Sequence, residues 1–215
     1  MAPPALTVWW RMLNRYFRVG ITRLLTPVAR GLLRLGLSAD AVTVIGTLGV
    51  CAGALIFYPR GEFFWGTVVI TLFVFSDNVD GIMARLAGRK GTWGAFLDSV
   101  LDRLGDAAIF GGLLMWYAGD GRDLVMAGLA LACLVFGALV SYAKARAEGL
   151  GMTANVGFAE RADRLVAVLV TTGLVGIGLP EIVLTVVLAL LALASAWTVV
   201  QRMREVRRQT LSKAS

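Results

Sequence analysis

Six apolar stretches, set apart by short polar breaks, follow one another after residue 40. Residues 41–58, 63–76, 124–143 and 182–201 carry no charge, and the second of these continues past two acids to Ala84. Residues 93–118 and 158–180 are nearly as apolar, the former interrupted by Asp98, Asp102, Arg103 and Asp106. At about 1.5 Å per residue, helical runs of roughly 18–25 residues cross a hydrocarbon core of about 30 Å. The pattern predicts an all-α integral membrane protein with six transmembrane helices.

The first residues follow a different rhythm. Leu6, Trp10, Leu13, Phe17, Ile21 and Leu24 recur every three or four positions, while Arg11, Arg15 and Arg18 share another face. That predicts an amphipathic juxtamembrane helix lying in the headgroup layer within residues 5–36. Thr26-Pro27 is placed to break it and start a second short helix, and Gly36 to stop that piece. Ser38 or Asp40 can cap the first span. Pro59-Arg60-Gly61-Glu62, Gly119-Asp120-Gly121 and Gly178-Leu179-Pro180 have turn chemistry, and residues 147–160 form the longest loop. The expected division is a juxtamembrane segment 1–40, a six-helix catalytic domain 41–205 and a basic tail 206–215.

Composition agrees with the pattern. With 58% hydrophobic residues, 16% charged and a mean hydropathy of +0.75, the 215-residue chain is too apolar for a soluble domain. The distribution of bases then sets orientation. Of 21 Lys and Arg, six precede residue 35, three lie at Arg85, Arg89 and Lys90, four between Lys144 and Arg164, and five from Arg202 onward. Under the positive-inside rule both termini and the active site face the cytoplasm, as in a multi-pass protein of the plasma membrane. The net charge of +7 needs no nucleic acid; it suits membrane lipids with anionic headgroups and phosphorylated substrates. Cys51 and Cys133 lie in apolar runs and read as core, and the absence of His excludes His triads and His ligands. The N-terminus shows no leader pattern.

Against this background stand four acids: Asp77-x-x-Asp80-Gly81-x-x-Ala84-Arg85, then eight residues, then Gly94-x-x-x-Asp98-x-x-x-Asp102. Intramembrane carboxylates are costly unless compensated, so they are functional candidates by default. Asp77/Asp80 and Asp98/Asp102 have i, i+3 and i, i+4 spacing, which puts each pair on one helix face. On antiparallel spans joined at residues 86–91, Asp80 and Asp98 lie about 8–9 Å below the turn, and Asp77 and Asp102 about 12–15 Å. Two facing carboxylate pairs without His or Cys favour Mg²⁺ or Mn²⁺. A set of acids paired with Arg85, Arg103 and Lys144 is the bland alternative. Asp106, four residues further on, reads as a hydrogen-bonding or helix-pairing residue.

The run from Asp77 to Asp102 resembles the signature of the CDP-alcohol phosphatidyltransferase family at every fixed position. The resemblance implies that Asp77, Asp80, Asp98 and Asp102 hold two metal ions and that Asp102 also serves as general base. It implies that Gly81 and Arg85 contact the donor, CDP-diacylglycerol, together with Asp40, Ala41, Val42 and Thr43 at the start of the first span. Gly91 stands where many members carry Ser or Thr, with Thr92 one position later. Relatives are homodimers, so a homodimer is the default.

For the acceptor, Tyr142-x-Lys144-Ala145-Arg146-Ala147-Glu148, Glu160-Arg161-x-x-Arg164 and the segment Thr26–Leu33 resemble the actinobacterial branch that uses inositol 1-phosphate. That resemblance implies Lys144, Arg164 and Arg202 as the inositol-phosphate site and phosphatidylinositol phosphate and CMP as products. From spacing alone, the same bases read equally well as topology signals. Glycerol 3-phosphate is the rival acceptor. A divalent-cation transporter is the rival outside enzymology, disfavoured because the acids sit toward one face with no ladder to the other.

Overall fold

The computed structural model describes residues 25–86, 91–157 and 161–214, with backbone alone at 76–78 and 213–214. The amphipathic periodicity of residues 6–24, the bases Arg89 and Lys90, and Glu160 lie outside the described residues. Among those described there is no strand. Helix α1 covers residues 25–34, followed by α2 (Ala39–Phe57), α3 (Phe63–Val74), α4 (Ser76–Leu86) and α5 (Thr92–Ala118). Then come α6 (Leu124–Gly149), α7 (Arg161–Val175) and α8 (Glu181–Ala214).

The helix ends follow local chemistry. Gly36 adopts a left-handed φ of +81°, and Leu37 and Gly36 donate to the carbonyls of Leu32 and Leu33 at 3.1 Å, which closes α1 in a Schellman turn. Ser38 caps α2, its hydroxyl accepting from the Ala41 amide at 3.1 Å. Tyr58–Arg60 form a 3₁₀ turn after α2, closed by Gly61. Asp123 caps α6, its carboxylate accepting from Val125 and Met126 at 2.9 and 3.0 Å.

Among the described residues four stretches are long and apolar enough to cross a membrane: Ala39–Arg60, Phe63–Leu86, Leu124–Gly149 and Glu181–Ser212. The protein is accordingly a multi-pass membrane protein. The other two expected spans are helical but fall short of that measure. Helix α5 has 27 residues with Asp98, Asp102, Arg103 and Asp106 among them, and α7 has only 15 and opens with Arg161, Asp163 and Arg164. Both carry candidate functional residues, which dilutes the apolar signal. Helix α8 runs thirteen residues past the uncharged run that ended at residue 201, so the expected basic tail is a continuation of this helix.

The chain separates into two compact units. Of the described residues, one takes in those up to Leu48 and those within Leu72–Leu101; the other takes in Gly49–Thr71 and those from Asp102 onward. In the first, Ala29 of α1, Val42 of α2 and Val79, Ile82 and Met83 of α4 form a buried cluster, flanked by Leu25, Leu32, Leu33 and Leu37. In the second, α6 and α7 both pack on α8. Leu184, Leu188, Ala192, Ser195 and Thr198 are buried there at helical spacing, while Ile182, Val186, Leu190, Leu193 and Trp197 of the same helix are exposed, as a lipid-facing stripe would be.

Small residues set the closest approaches. A Cβ on Gly112 of α5 would come within 2.6 Å of the Ala54 carbonyl oxygen of α2, so only glycine lets these helices meet. Gly128 of α6 has nothing within 4 Å of its missing Cβ. Gly112→Ala is therefore expected to destabilise by about 1–3 kcal/mol through overpacking, whereas Gly128→Ala should leave stability unchanged or raise it by up to about 1 kcal/mol. Thermal unfolding of both variants in detergent checks this, and equal melting temperatures would refute the packing argument.

Candidate functional site

In the first unit, α4 turns its motif away from its core. With 3.6 residues per turn, Val79, Ile82 and Met83 fall on one side, and Asp77, Asp80, Gly81 and Ala84 fall by register on the other. Asp80 sits at the border and is 9% exposed. The Thr43 hydroxyl of α2 lies 2.5 Å from Asp80 Oδ2 and 3.1 Å from the Ala39 carbonyl, so a single proton serves two acceptors. The first-span segment expected to hold the donor thus touches an acid of the motif. Gly94 of α5 passes Asp40, whose Oδ1 would be 3.9 Å from an added Cβ.

Gly81 has nothing within 4 Å of its missing Cβ. Glycine inside a helix costs about 0.5–1 kcal/mol relative to alanine, and no contact among the described residues demands it here. Val42 belongs to the buried cluster, which leaves only its backbone to a ligand. Arg85, Gly91, Thr92 and Asp98 are exposed. Among the described side chains, which exclude Asp77, no three acids or cysteines gather as a metal-binding group.

The second unit holds Asp102 and the bases. Arg161 Nη1 of α7 lies 2.7 Å from Asp102 Oδ1, and its Nε donates to Asp106 Oδ1 at 3.0 Å. Arg103 lies 3.6 Å from both Asp102 Oδ2 and Asp106 Oδ2 and donates to the Ser141 hydroxyl of α6. Asp106 therefore pairs helices, as its position in the sequence indicated. Arg161 did not stand out in the sequence as the partner of Asp102. The one available signal was its place three residues before Arg164, on the same face of α7.

Two turns of α6 collect the remaining cations. Val140, Ser141 and Lys144 lie three, four and seven residues after Gly137 and so share one helix face with it. Arg164, only 3% exposed, lies beside Gly137, where an added Cβ would be 3.6 Å from its Cζ. Arg202 donates to the Val140 carbonyl and, at 3.1 Å through Nε, to the Val156 carbonyl. Lys144 is exposed and 4.0 Å from Glu148. A cavity of about 20 Å³, room for one water, is lined by Arg103, Asp106, Cys133, Gly137 and Arg164 among others, and Arg164 Nη1 and Arg103 Nε are buried without a hydrogen-bond partner. Arg164 and Arg202 thus approach α6 at Gly137 and Val140, on the face that by spacing also carries Lys144, and Arg103 reaches Ser141 there.

Residues 37–200 match the CDP-alcohol phosphatidyltransferase family. The chain belongs to this family. The match takes in the four-acid motif, Lys144 and Arg164 and stops short of Arg202. The chain is 53% identical over 210 residues, 95% of its length and 86% of the relative's, to phosphatidylinositol phosphate synthase of Streptomyces avermitilis. Its structure is similar to that of Mycobacterium tuberculosis phosphatidylinositol phosphate synthase with CDP-DAG bound, with a TM-score of 0.82 and 45% identity, covering 86% of this chain and 94% of that one. The same Mycobacterium tuberculosis enzyme in complex with manganese and citrate gives a TM-score of 0.81 at 45% identity, covering 85% and 88%.

Removing the Thr43 hydroxyl strips one hydrogen bond from a buried carboxylate, which costs about 1–3 kcal/mol. Thr43→Val should lower the melting temperature in detergent, and Thr43→Ser should restore it. If both variants melt like the parent chain, the hydroxyl does not support Asp80.

Proposed function

We propose that the chain transfers the phosphatidyl group of CDP-diacylglycerol to inositol 1-phosphate, giving phosphatidylinositol phosphate and CMP. The observation that carries this reading is the 53% identity to a phosphatidylinositol phosphate synthase, and it is supported by Arg164 beside Gly137 and Arg202 on the Val140 carbonyl, on the α6 face that by spacing also carries Lys144. Three guanidinium groups, Arg103, Arg161 and Arg164, stand with two carboxylates, Asp102 and Asp106, so the cluster is cationic even before Lys144 and Arg202 are added. A phosphate dianion answers that excess.

Asp77, Asp80, Asp98 and Asp102 would hold two divalent ions, Mg²⁺ or Mn²⁺. The donor set is carboxylate oxygen throughout, and Thr43 orients one member of it as outer partners of metal ligands do. Such ions neutralise a pyrophosphate and stabilise both the attacking and the leaving oxygen of a displacement at phosphorus. Asp102 takes the proton of an inositol hydroxyl as its oxygen bonds to the β-phosphorus; the bond from that phosphorus to the bridging oxygen breaks, and CMP leaves with the electron pair. Gly81 gives the donor's phosphates room and Arg85 grips them, while Asp40, Ala41, Val42 and Thr43 hold the cytidine beside Gly91 and Thr92. Lys144, Arg164 and Arg202 fix the acceptor's phosphate.

The same reading takes α5 and α7 as the two further spans of a six-helix catalytic domain spanning residues 41–205. It places the N-terminal amphipathic segment, both termini and the active site on the cytoplasmic side of the plasma membrane, and takes the assembly to be a homodimer.

The test is CMP release from CDP-diacylglycerol by the purified protein with either inositol 1-phosphate or glycerol 3-phosphate. Faster turnover of inositol 1-phosphate is expected; the reverse preference overturns the acceptor assignment. Changing Lys144, Arg164 or Arg202 to Gln should raise the acceptor KM about 10- to 100-fold and leave the donor KM nearly unchanged, since each loses a charge-assisted hydrogen bond. Asp77→Asn or Asp98→Asn should abolish most turnover, and a chelator should do so reversibly. Full turnover in excess chelator would sink the metal reading.

A further inference from the structure

We infer that Arg161 is a positioning residue of the reaction: it fixes Asp102 and ties that carboxylate to the helix that carries Arg164. The inference rests on the proposed role of Asp102 as general base and goes beyond it by assigning a residue that touches neither substrate.

All three nitrogens of one guanidinium are committed to α5. Nη1 meets Asp102 Oδ1 at 2.7 Å, Nη2 donates to the Asp102 backbone carbonyl at 3.4 Å, and Nε donates to Asp106 Oδ1 at 3.0 Å. A planar fork with donors on three sides can satisfy two carboxylates one helical turn apart, which a point charge such as an ammonium cannot. The grip falls on Oδ1 of Asp102, and the other oxygen, Oδ2, is 3.6 Å from Arg103. The carboxylate's rotation is thereby fixed from two sides. Asp106 is buried and accepts from the same guanidinium, so it anchors the fork. One turn along α7, Arg164 is buried against Gly137. A single short helix therefore carries both the residue that orients the proposed base and a cation assigned to the acceptor's phosphate. A reacting hydroxyl and its base have to be held at about 3 Å, and misplacement by about 1 Å costs on the order of a hundredfold in rate.

The experiment uses the full-length protein with Arg161→Gln, Arg161→Lys, Asp106→Asn and the double variant Arg161→Gln/Asp106→Asn. Rates are expressed per protein that binds CDP-diacylglycerol, so misfolded material does not count. Arg161→Gln should lower kcat about 10- to 100-fold, the range found when an outer partner of a functional group is removed, with both KM values within about threefold of the parent. Arg161→Lys should recover part of that loss. The double variant should be little worse than Arg161→Gln alone, because the two residues act as one unit. Three outcomes overturn the inference: unchanged kcat in Arg161→Gln, fully additive losses in the double variant, or an acceptor KM that rises as it does for Arg164→Gln, which would make Arg161 a phosphate ligand. Asp102→Asn is measured alongside. If that variant keeps full turnover, the base assignment itself fails, a result separate from any of these.

Discussion

A carboxylate placed in an apolar helix has to be answered by a positive charge, and the second unit is organised around that requirement. Asp102 and Asp106 lie one turn apart on α5, and the answering guanidinium comes from the first turn of α7. Breaking such a pair leaves an uncompensated charge in a medium that cannot solvate it, which costs several kcal/mol. Polar groups thus tie the first turn of α7 to α5, while Leu165, Val168 and Leu169 further along α7 are buried and the helix packs on α8. Arg103 binds the same two acids and reaches Ser141 on α6, so three helices share one network.

That network explains why the helices richest in candidate chemistry are the least membrane-like. The apolar signal of a span measures what lipid tolerates, and α5 and α7 are diluted by the residues that face one another. Asp102, Arg103, Asp106 and Arg161 of these helices pair with one another, whereas α6 and α8, uncharged through most of their length, carry exposed Leu131, Val135, Leu190 and Leu193. Hydropathy alone therefore marks α5 and α7 less strongly than the helices whose long runs carry no charge.

The helices were largely legible in the sequence, because apolar runs and turn residues act locally. Gly36, Ser38 and Gly61 end or start helices where their backbone chemistry requires. The break at Phe75 between α3 and α4 was not legible, nor was the helical continuation to Ala214. The continuation has a tertiary cause: the Gln209 side chain accepts from the Thr153 amide at 3.0 Å and donates to its carbonyl at 2.6 Å, pinning the stretch that follows α6. Such pairings join residues more than fifty positions apart, and periodicity along one helix carries no record of them. The same limit hid Arg161. Spacing indicated that Asp98 and Asp102 share a face, but not which of several bases on other helices reaches Asp102.

The glycines show how structure divides what sequence leaves merged. Inside a helix, a glycine can mean that another helix comes close or that something outside the chain must. Gly112 belongs to the first kind, since an added carbon would strike the Ala54 carbonyl. Gly81 belongs to neither helix packing nor backbone strain: its surroundings are open and its helix regular. Among the described residues no contact offsets the loss of helix stability at Gly81, and on the proposed reading the reason for it lies in the donor that occupies that space. It adjoins Asp80 on the face of α4 turned away from the buried cluster, the same face that Asp77 holds by register. On the proposed reading that opening admits the donor's closely spaced phosphates, which need the backbone near at hand and a guanidinium such as Arg85 beside them.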